Sequence, residues 1–410
     1  MKMPKSYFAI LFATCIMFSC SQKKQISDYP VISFASEIGN EAVVNLSSVA
    51  DSISYIPLET KNSSLLNNPL SYCYENGKIY ILNKYGLMIF DSNGKFIRKI
   101  DRKGRGPQEY LQIKRFEVSP ETGNILIQNL IQSLNEYDSL GNFIRKIEPP
   151  KIDDCQTFDN FKLSDELYIS SLTENGKLPR FTFVLYDSLS NIEKKIPNSD
   201  VNGLDSSQLI LIPGVMRVIV AAKTFRYSDN LRLYFGGDTV RSIDKNMNVT
   251  IPYIYDFGEF GVPLKETYDL ITDMSRISIS GNPMESDGFV LFKLYMRNHA
   301  AEPFYPITRT GVKSETQNQT EYAIFDKINS KLTLMKQPIK EQLGFKNDLD
   351  GGLVFWPNYI SSDKRMIKIF TAPEFLELVQ KPETSSPAMK EIAKTLTEED
   401  NPVAVIARLK

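Results

Sequence analysis

Histidine and tryptophan occur once each in 410 residues, as His299 and Trp356. A single histidine excludes every mechanism that needs a histidine cluster. His299 has no second His or Cys at ligand spacing, and no serine sits in a G-x-S-x-G frame. Charge of one sign is also missing. The 48 basic and 49 acidic residues leave a formal charge of −1, so nothing points to nucleic acid. Cysteine is scarce, with four residues: Cys15, Cys20, Cys73 and Cys155. The apolar run Tyr7–Phe18 is too short to span a bilayer as a mature helix. What is present is ordinary for a globular chain: 42% hydrophobic and 24% charged residues, with 24 Phe and 20 Tyr. That composition excludes a disordered protein.

The short apolar run has the layout of an export signal. Lys2 and Lys5 precede it, and the chain turns polar at Ser21. The segment Met17-Phe18-Ser19-Cys20 resembles the lipobox of bacterial lipoproteins, although Leu and a small residue usually stand where Met17 and Phe18 do. Cys20 is then the lipidation site, and an ordinary secretory signal or membrane anchor is the alternative. Several acyl chains on one cysteine would suffice for stable anchoring. Removing residues 1–19 takes two lysines and no acid, which leaves 46 basic and 49 acidic residues, a balance of −3. The remaining Cys73 and Cys155 lie in strand-like runs and read as buried free thiols. Ser21-Gln22-Lys23-Lys24 after Cys20 contains no acidic cluster of the kind that marks surface export. The expected location is therefore the outer membrane, facing the periplasm.

An internal repeat sets the fold. DSNGKFIRKI (91–100), DSLGNFIRKI (138–147) and DSLSNIEKKI (187–196) recur at offsets of 47 and 49 residues. Weaker copies follow at Ile243-Asp244 and Phe325-Asp326. Each copy reads as a hairpin in which an apolar strand ends at Asp and a short polar turn leads into a second strand. Asp and Gly suit such turns because they tolerate positive φ or bond their own backbone. A further strand opened by a turn precedes each hairpin: 77–83, 123–129, 165–171, 230–236, 288–294 and 351–357. Four strands per unit at a period near 50 residues predict an all-β fold, a six-bladed β-propeller of four-stranded antiparallel blades. Six openings against five hairpins predict closure by the chain ends. Residues 351–357 and 402–410 would supply the second and third strands of the last blade, and 52–59 its outer strand. Short helical insertions are expected at 263–274 and 372–400, and a polar loop over 299–320. The expected organisation is 1–19 signal peptide, 20–45 lipid-anchored linker and lead-in, and 46–410 propeller.

RKGRGPQEY (102–110), following the first hairpin, resembles the G-x-GPxEY signature of a family of six-bladed β-propeller lipoproteins from gut-type anaerobic bacteria. DSISYIPLET, FDSNGKFIRKI, YIYDFG (253–258) and EEDNPVAVIARLK follow the same order along nearly the whole mature chain. Gln108 stands where Gly is common. The resemblance implies fold and address, and carries no activity with it.

Two places stand out as ligand sites. The loop Gly104–Tyr110 joins the outer strand of one blade to the inner strand of the next. There Arg105 offers a planar fork to a carboxylate or sugar acid, with Glu109 and Tyr110 beside it. The alternative is a blade-locking turn in which Arg105 and Glu109 pair with each other or with a neighbouring blade. Trp356 and Tyr359, at the end of the 351–357 strand, offer aromatic faces for stacking, or pack beneath the helical insertion. NDLDGG (347–352) echoes a calcium loop, but Lys346 and Pro357 fall where both end ligands belong, so a turn is expected. No metal, cofactor or catalytic residue is assigned.

Two functions follow. One is a lipid-anchored, non-catalytic binding or assembly module for a peptide, glycan or envelope protein partner. The other is a propeller enzyme, an NHL-like lyase or hydrolase, whose central channel would have to use oxygen ligands.

Overall fold

The computed structural model describes residues 29–66, 69–130, 133–152, 154–174, 177–201, 203, 205, 222–262, 274–306 and 312–410. The signal segment with Cys20, residues 263–273 of the first expected insertion and residues 307–311 of the polar loop lie outside the described residues.

The strands form six antiparallel sheets, each beginning with an inner strand and ending with an outer one. Blade one runs Ser71–Glu75, Lys78–Asn83, Gly86–Asp91, Phe96–Ile100. Blade two runs Ile113–Val118, Ile125–Asn129, Leu134–Tyr137, Phe143–Ile147. Blade three runs Cys155–Lys162, Leu167–Glu174, Phe181–Asp187, Ile192–Pro197. Blade four runs Lys223–Tyr227, Asn230–Tyr234, Thr239–Ile243, Val249–Asp256. In blade five the inner strand is split into Ser278–Ile279 and Met284–Glu285, both paired with Phe289–Tyr295; Thr320–Asp326 and Lys331–Met335 complete it. Blade six runs Tyr359–Ile360, Arg365–Phe370, Val403–Leu409, and takes Ala50–Pro57 as its outer strand. This is the six-bladed propeller the repeat predicts.

The repeated aspartates make the hairpins. In all five copies the Asp carboxylate accepts backbone N–H bonds from the turn, as when Asp138 accepts from Leu140 and Asn142, both at 2.8 Å. Side-chain and backbone donors hold the carboxyls of Asp138, Asp187, Asp244 and Asp326 below the usual carboxylate range, the Asn142 amide being the largest influence on Asp138. Gly94 has φ +82° and sits in blade one's turn so close to blade six that a Cβ there would lie 2.3 Å from the Pro57 carbonyl oxygen. The hydrophobic residue before each Asp is buried, from Phe90 to Phe325.

Six apolar clusters hold the ring, one between each pair of neighbouring blades. Closure of the ring depends on chain-end pairing within blade six, in which Tyr55 faces Val405 and Ile53 faces Ala407. This joint removes the open sheet edges that an unclosed array would expose.

One part of the expected closure is corrected. Residues 351–357 are not the second strand of blade six; that strand is Arg365–Phe370, opened by the turn at Ser361–Lys364. The earlier run makes a single bridge, Phe345 to Phe355, and buries Leu353 and Phe355 in the core between blades five and six. It resembles a strand because it is apolar, but it lacks the alternation of RMIKIF. The lead-in docks on the ring. Val31–Ser33 adds a parallel fifth strand to the outside of blade four, Phe34 is fully buried, and Ala42 bridges to Met335 of blade five. The insertion after blade six's second strand holds helices α1 (Ala372–Gln380) and α2 (Pro387–Ala393). Thr371 and Glu374 form a capping box on α1, and Phe375 packs at 5.9 Å from the Tyr55 ring. Among the described residues no helix is long and apolar enough to cross a membrane.

Candidate functional site: the central cavity

Inner strands converge on a cavity of about 1180 Å³. Its walls are mainly the C-terminal ends of these strands and the turns that follow: Glu75, Arg115, Glu117, Arg226, Glu285 and Tyr359 carry most of the chemistry. The cavity therefore opens on the face where first strands turn into second strands. The loop Gly104–Tyr110 enters the start of blade two's inner strand, on the opposite face.

Of the candidate ligand residues Arg105, Glu109, Tyr110, Trp356 and Tyr359, Tyr359 alone lines this cavity. Trp356 precedes the inner strand of blade six instead of ending a second strand. It is 6% exposed and stacked on Tyr322 at 4.0 Å between centroids, so it serves as core. Tyr110 is buried and donates to the Ile100 carbonyl at 2.9 Å. Glu109 accepts from the Gly106 amide at 2.8 Å and does not pair with Arg105. Arg105 is exposed and makes no ion pair among the described residues. The loop is further held by Tyr137 and Asn135, which donate to the Gln108 and Glu109 carbonyls at 3.0 and 3.1 Å. The carboxylates of the turn at 347–352 are engaged: Asp350 accepts from Asn347 at 2.7 Å, and Asp348 accepts from the Ser47 amide at 2.9 Å. His299 is half-buried beside Phe260, with its ring nitrogen 3.0 Å from the Ser275 carbonyl. Both remaining cysteines are free; Cys73 is buried as expected, whereas Cys155 is half-exposed.

The cavity's carboxylates are individually engaged. Glu75 accepts from the Tyr359 hydroxyl at 2.6 Å and from the Ser362 hydroxyl at 2.6 Å, which joins blades one and six. Burial pushes its carboxyl up despite those donors. The same burial raises the Cys73 thiol and the Tyr359 phenol. Glu117 of blade two takes the Arg226 guanidinium of blade four, whose Nε stands 3.1 Å away, while Arg226 also donates to the Lys162 carbonyl of blade three at 2.6 Å. Glu285, with a fully buried side chain, receives Arg232 at 2.8 Å, Lys327 at 3.0 Å and the Tyr253 hydroxyl at 2.7 Å. Among the described residues no three His, Cys, Asp or Glu side chains are grouped to hold a metal.

Arg115 is built differently. The inner strand of blade two bulges between Ile113 and Arg115, and that of blade three between Thr157 and Asn160. Bulges re-aim side chains. Across the junction Lys114 bonds the Phe158 carbonyl at 2.7 Å and Asp159 at 3.1 Å, while Gln128 exchanges bonds with Phe158 and Asn160. This stitching lays the Arg115 guanidinium 3.8 Å over the Phe161 ring, with one bond to the Asn160 carbonyl at 2.5 Å. Sequence reasoning missed Arg115, Glu117, Arg226 and Glu75. The available signal was charge inside short strands just before a turn, as in SYCYE, IKRFEV and KTFRY.

Fold and cavity together define a six-bladed β-propeller with a central well lined by aromatic and charged side chains. The chain belongs to the family of a domain of unknown function, DUF4934, which matches residues 29–408. Among solved structures it is similar to a candidate exported protein of Bacteroides fragilis, at 19% identity and TM-score 0.62, covering 90% of this chain and 98% of that one. It also matches the WD40 repeats of RRP9 at 9% identity and TM-score 0.40, covering 90% of this chain and 100% of that one. No curated protein matches.

Proposed function

We propose that the protein is a lipid-anchored envelope propeller that binds a partner or ligand in its central cavity, as a binding or assembly module. The observation that carries this reading is the cavity itself. It is a well of about 1180 Å³ whose wall side chains are fixed from six different strands of a closed ring. Ligand pockets characteristically combine apolar and aromatic walls with a few placed polar groups. Tyr72, Phe116, Phe161, Tyr227 and Tyr359 supply the first, and Arg115, Glu117 and Arg226 the second. Attachment through Cys20 and the periplasmic face rest on the N-terminal segment and its resemblance to lipoprotein signals, and the G-x-GPxEY resemblance supports the same address.

Two experiments test this. Cys20→Ala should move the protein from the membrane fraction to the soluble fraction of the envelope; retention on the membrane contradicts lipid anchoring. Asp229→Arg, an exposed change on the cavity wall, should abolish retention of the native envelope partner, while Arg105→Glu on the opposite face should leave it intact. Loss with Arg105→Glu alone would transfer the site to the Gly104–Tyr110 loop.

A further inference from the structure

We propose that Arg115 anchors the carboxylate of an acidic sugar, a short glycan carrying a single uronic acid, in the central cavity. This rests on the reading of the cavity as the binding site.

Three observations converge on Arg115. First, Arg115 makes no ion pair among the described residues, whereas its neighbours are paired: Lys114 with Asp159 and Arg226 with Glu117. Second, its donors are underused. A guanidinium carries five N–H groups, and one goes to the Asn160 carbonyl. Burial works against its charge, which lowers its proton affinity, and an incoming anion would offset that cost. Third, it is held in place. Stacking on Phe161 and the paired bulges fix the plane of the fork, and planar carboxylate recognition requires a fixed plane.

The rest of the wall narrows the ligand. Glu75, Glu121, Asp229 and Asp287 also line the cavity, so a polyanion such as an acidic peptide would meet repulsion after its first contact. One carboxylate on an otherwise neutral, hydroxyl-rich chain fits better. Ser228, Asn282 and Asn358 offer hydroxyl and amide partners, and Tyr72 offers an aromatic ring. The volume suits a chain of a few sugar rings.

The test is calorimetric titration of the full mature protein with glucuronosyl-xylobiose, and with xylotriose as its neutral counterpart. The acidic sugar should bind at least tenfold more tightly. Arg115→Met should lose at least tenfold of that affinity, and Arg115→Lys several-fold, because an ammonium cannot present the fork. Equal affinity for both sugars, undiminished binding by Arg115→Met, or tighter binding of triglutamate would each overturn the proposal. Should Arg115→Met not fold, phenylglyoxal labelling of the unaltered protein replaces it. Arg115 should be protected by the acidic sugar and not by xylotriose; protection of Arg226 alone contradicts the assignment. If neither sugar binds while Asp229→Arg still abolishes partner retention, this inference fails and the cavity reading stands.

Discussion

Glu321→Gln is the sharpest test of how the ring handles buried charge. Glu321 lies in blade five's third strand and is 5% exposed. One carboxyl oxygen accepts from the Ala301 amide, and the other is buried without a hydrogen-bond partner. Burial, reinforced by Glu41 and Glu302, raises its carboxyl from 4.5 to about 7. The folded state therefore binds more protons than the unfolded state between pH 4.5 and about 7, so stability falls as pH rises through that window and levels off above it. The span 7 − 4.5, at about 1.36 kcal/mol per pH unit, sets a full cost of about 3 kcal/mol. Between pH 5 and pH 8 about 2.5 kcal/mol of it should be expressed. Glutamine keeps the acceptor for Ala301 and cannot ionise. Urea unfolding of both proteins at the two pH values isolates the effect, because all other titrations cancel in the difference. The variant should gain on the parent by about 2.5 kcal/mol on going from pH 5 to pH 8. A difference independent of pH, or one of opposite sign, would refute the reasoning.

Other consequences are structural. Glu285→Gln leaves Arg232 and Lys327 facing a neutral amide in a buried site and should cost about 3–5 kcal/mol in unfolding free energy. Phe34→Ala should cost about 3–5 kcal/mol if the lead-in is part of the core between blades four and five; a loss below about 1 kcal/mol would make it peripheral. Gly94→Ala forces a Cβ to 2.3 Å from the Pro57 oxygen at positive φ, and should lower the melting temperature more than Gly39→Ala, which has open space around it.

The architecture was legible because its signal is periodic. Five aspartates at hairpin turns, each preceded by a buried hydrophobic residue, mark five of the blades, and the strand-like runs at the two chain ends mark the closure. The misassignment of 351–357 has a physical origin. An apolar segment filling a core and an apolar strand have similar composition, and in a two-residue inner strand such as Tyr359–Ile360 there is too little alternation to correct the register. The site was much less legible. Gly104–Tyr110 draws attention by its glycines and its arginine, yet its glycines accommodate the Glu109 side chain and the turn bonds itself. Arg115 and Arg226 stand 111 residues apart and become neighbours only when the ring closes. The bulges that aim Arg115 leave no mark in composition at all.

The central claim is that recognition takes place in the cavity, on the face of the first turns, and not at the Gly104–Tyr110 loop. Photo-crosslinking in intact cells tests it most directly, with the reactive side chain placed at Asp229 on the cavity wall or at Arg105 on the far face, both exposed. Specific adducts from position 229 and none from position 105 are the predicted result. Adducts from position 105 with none from position 229 would contradict the account.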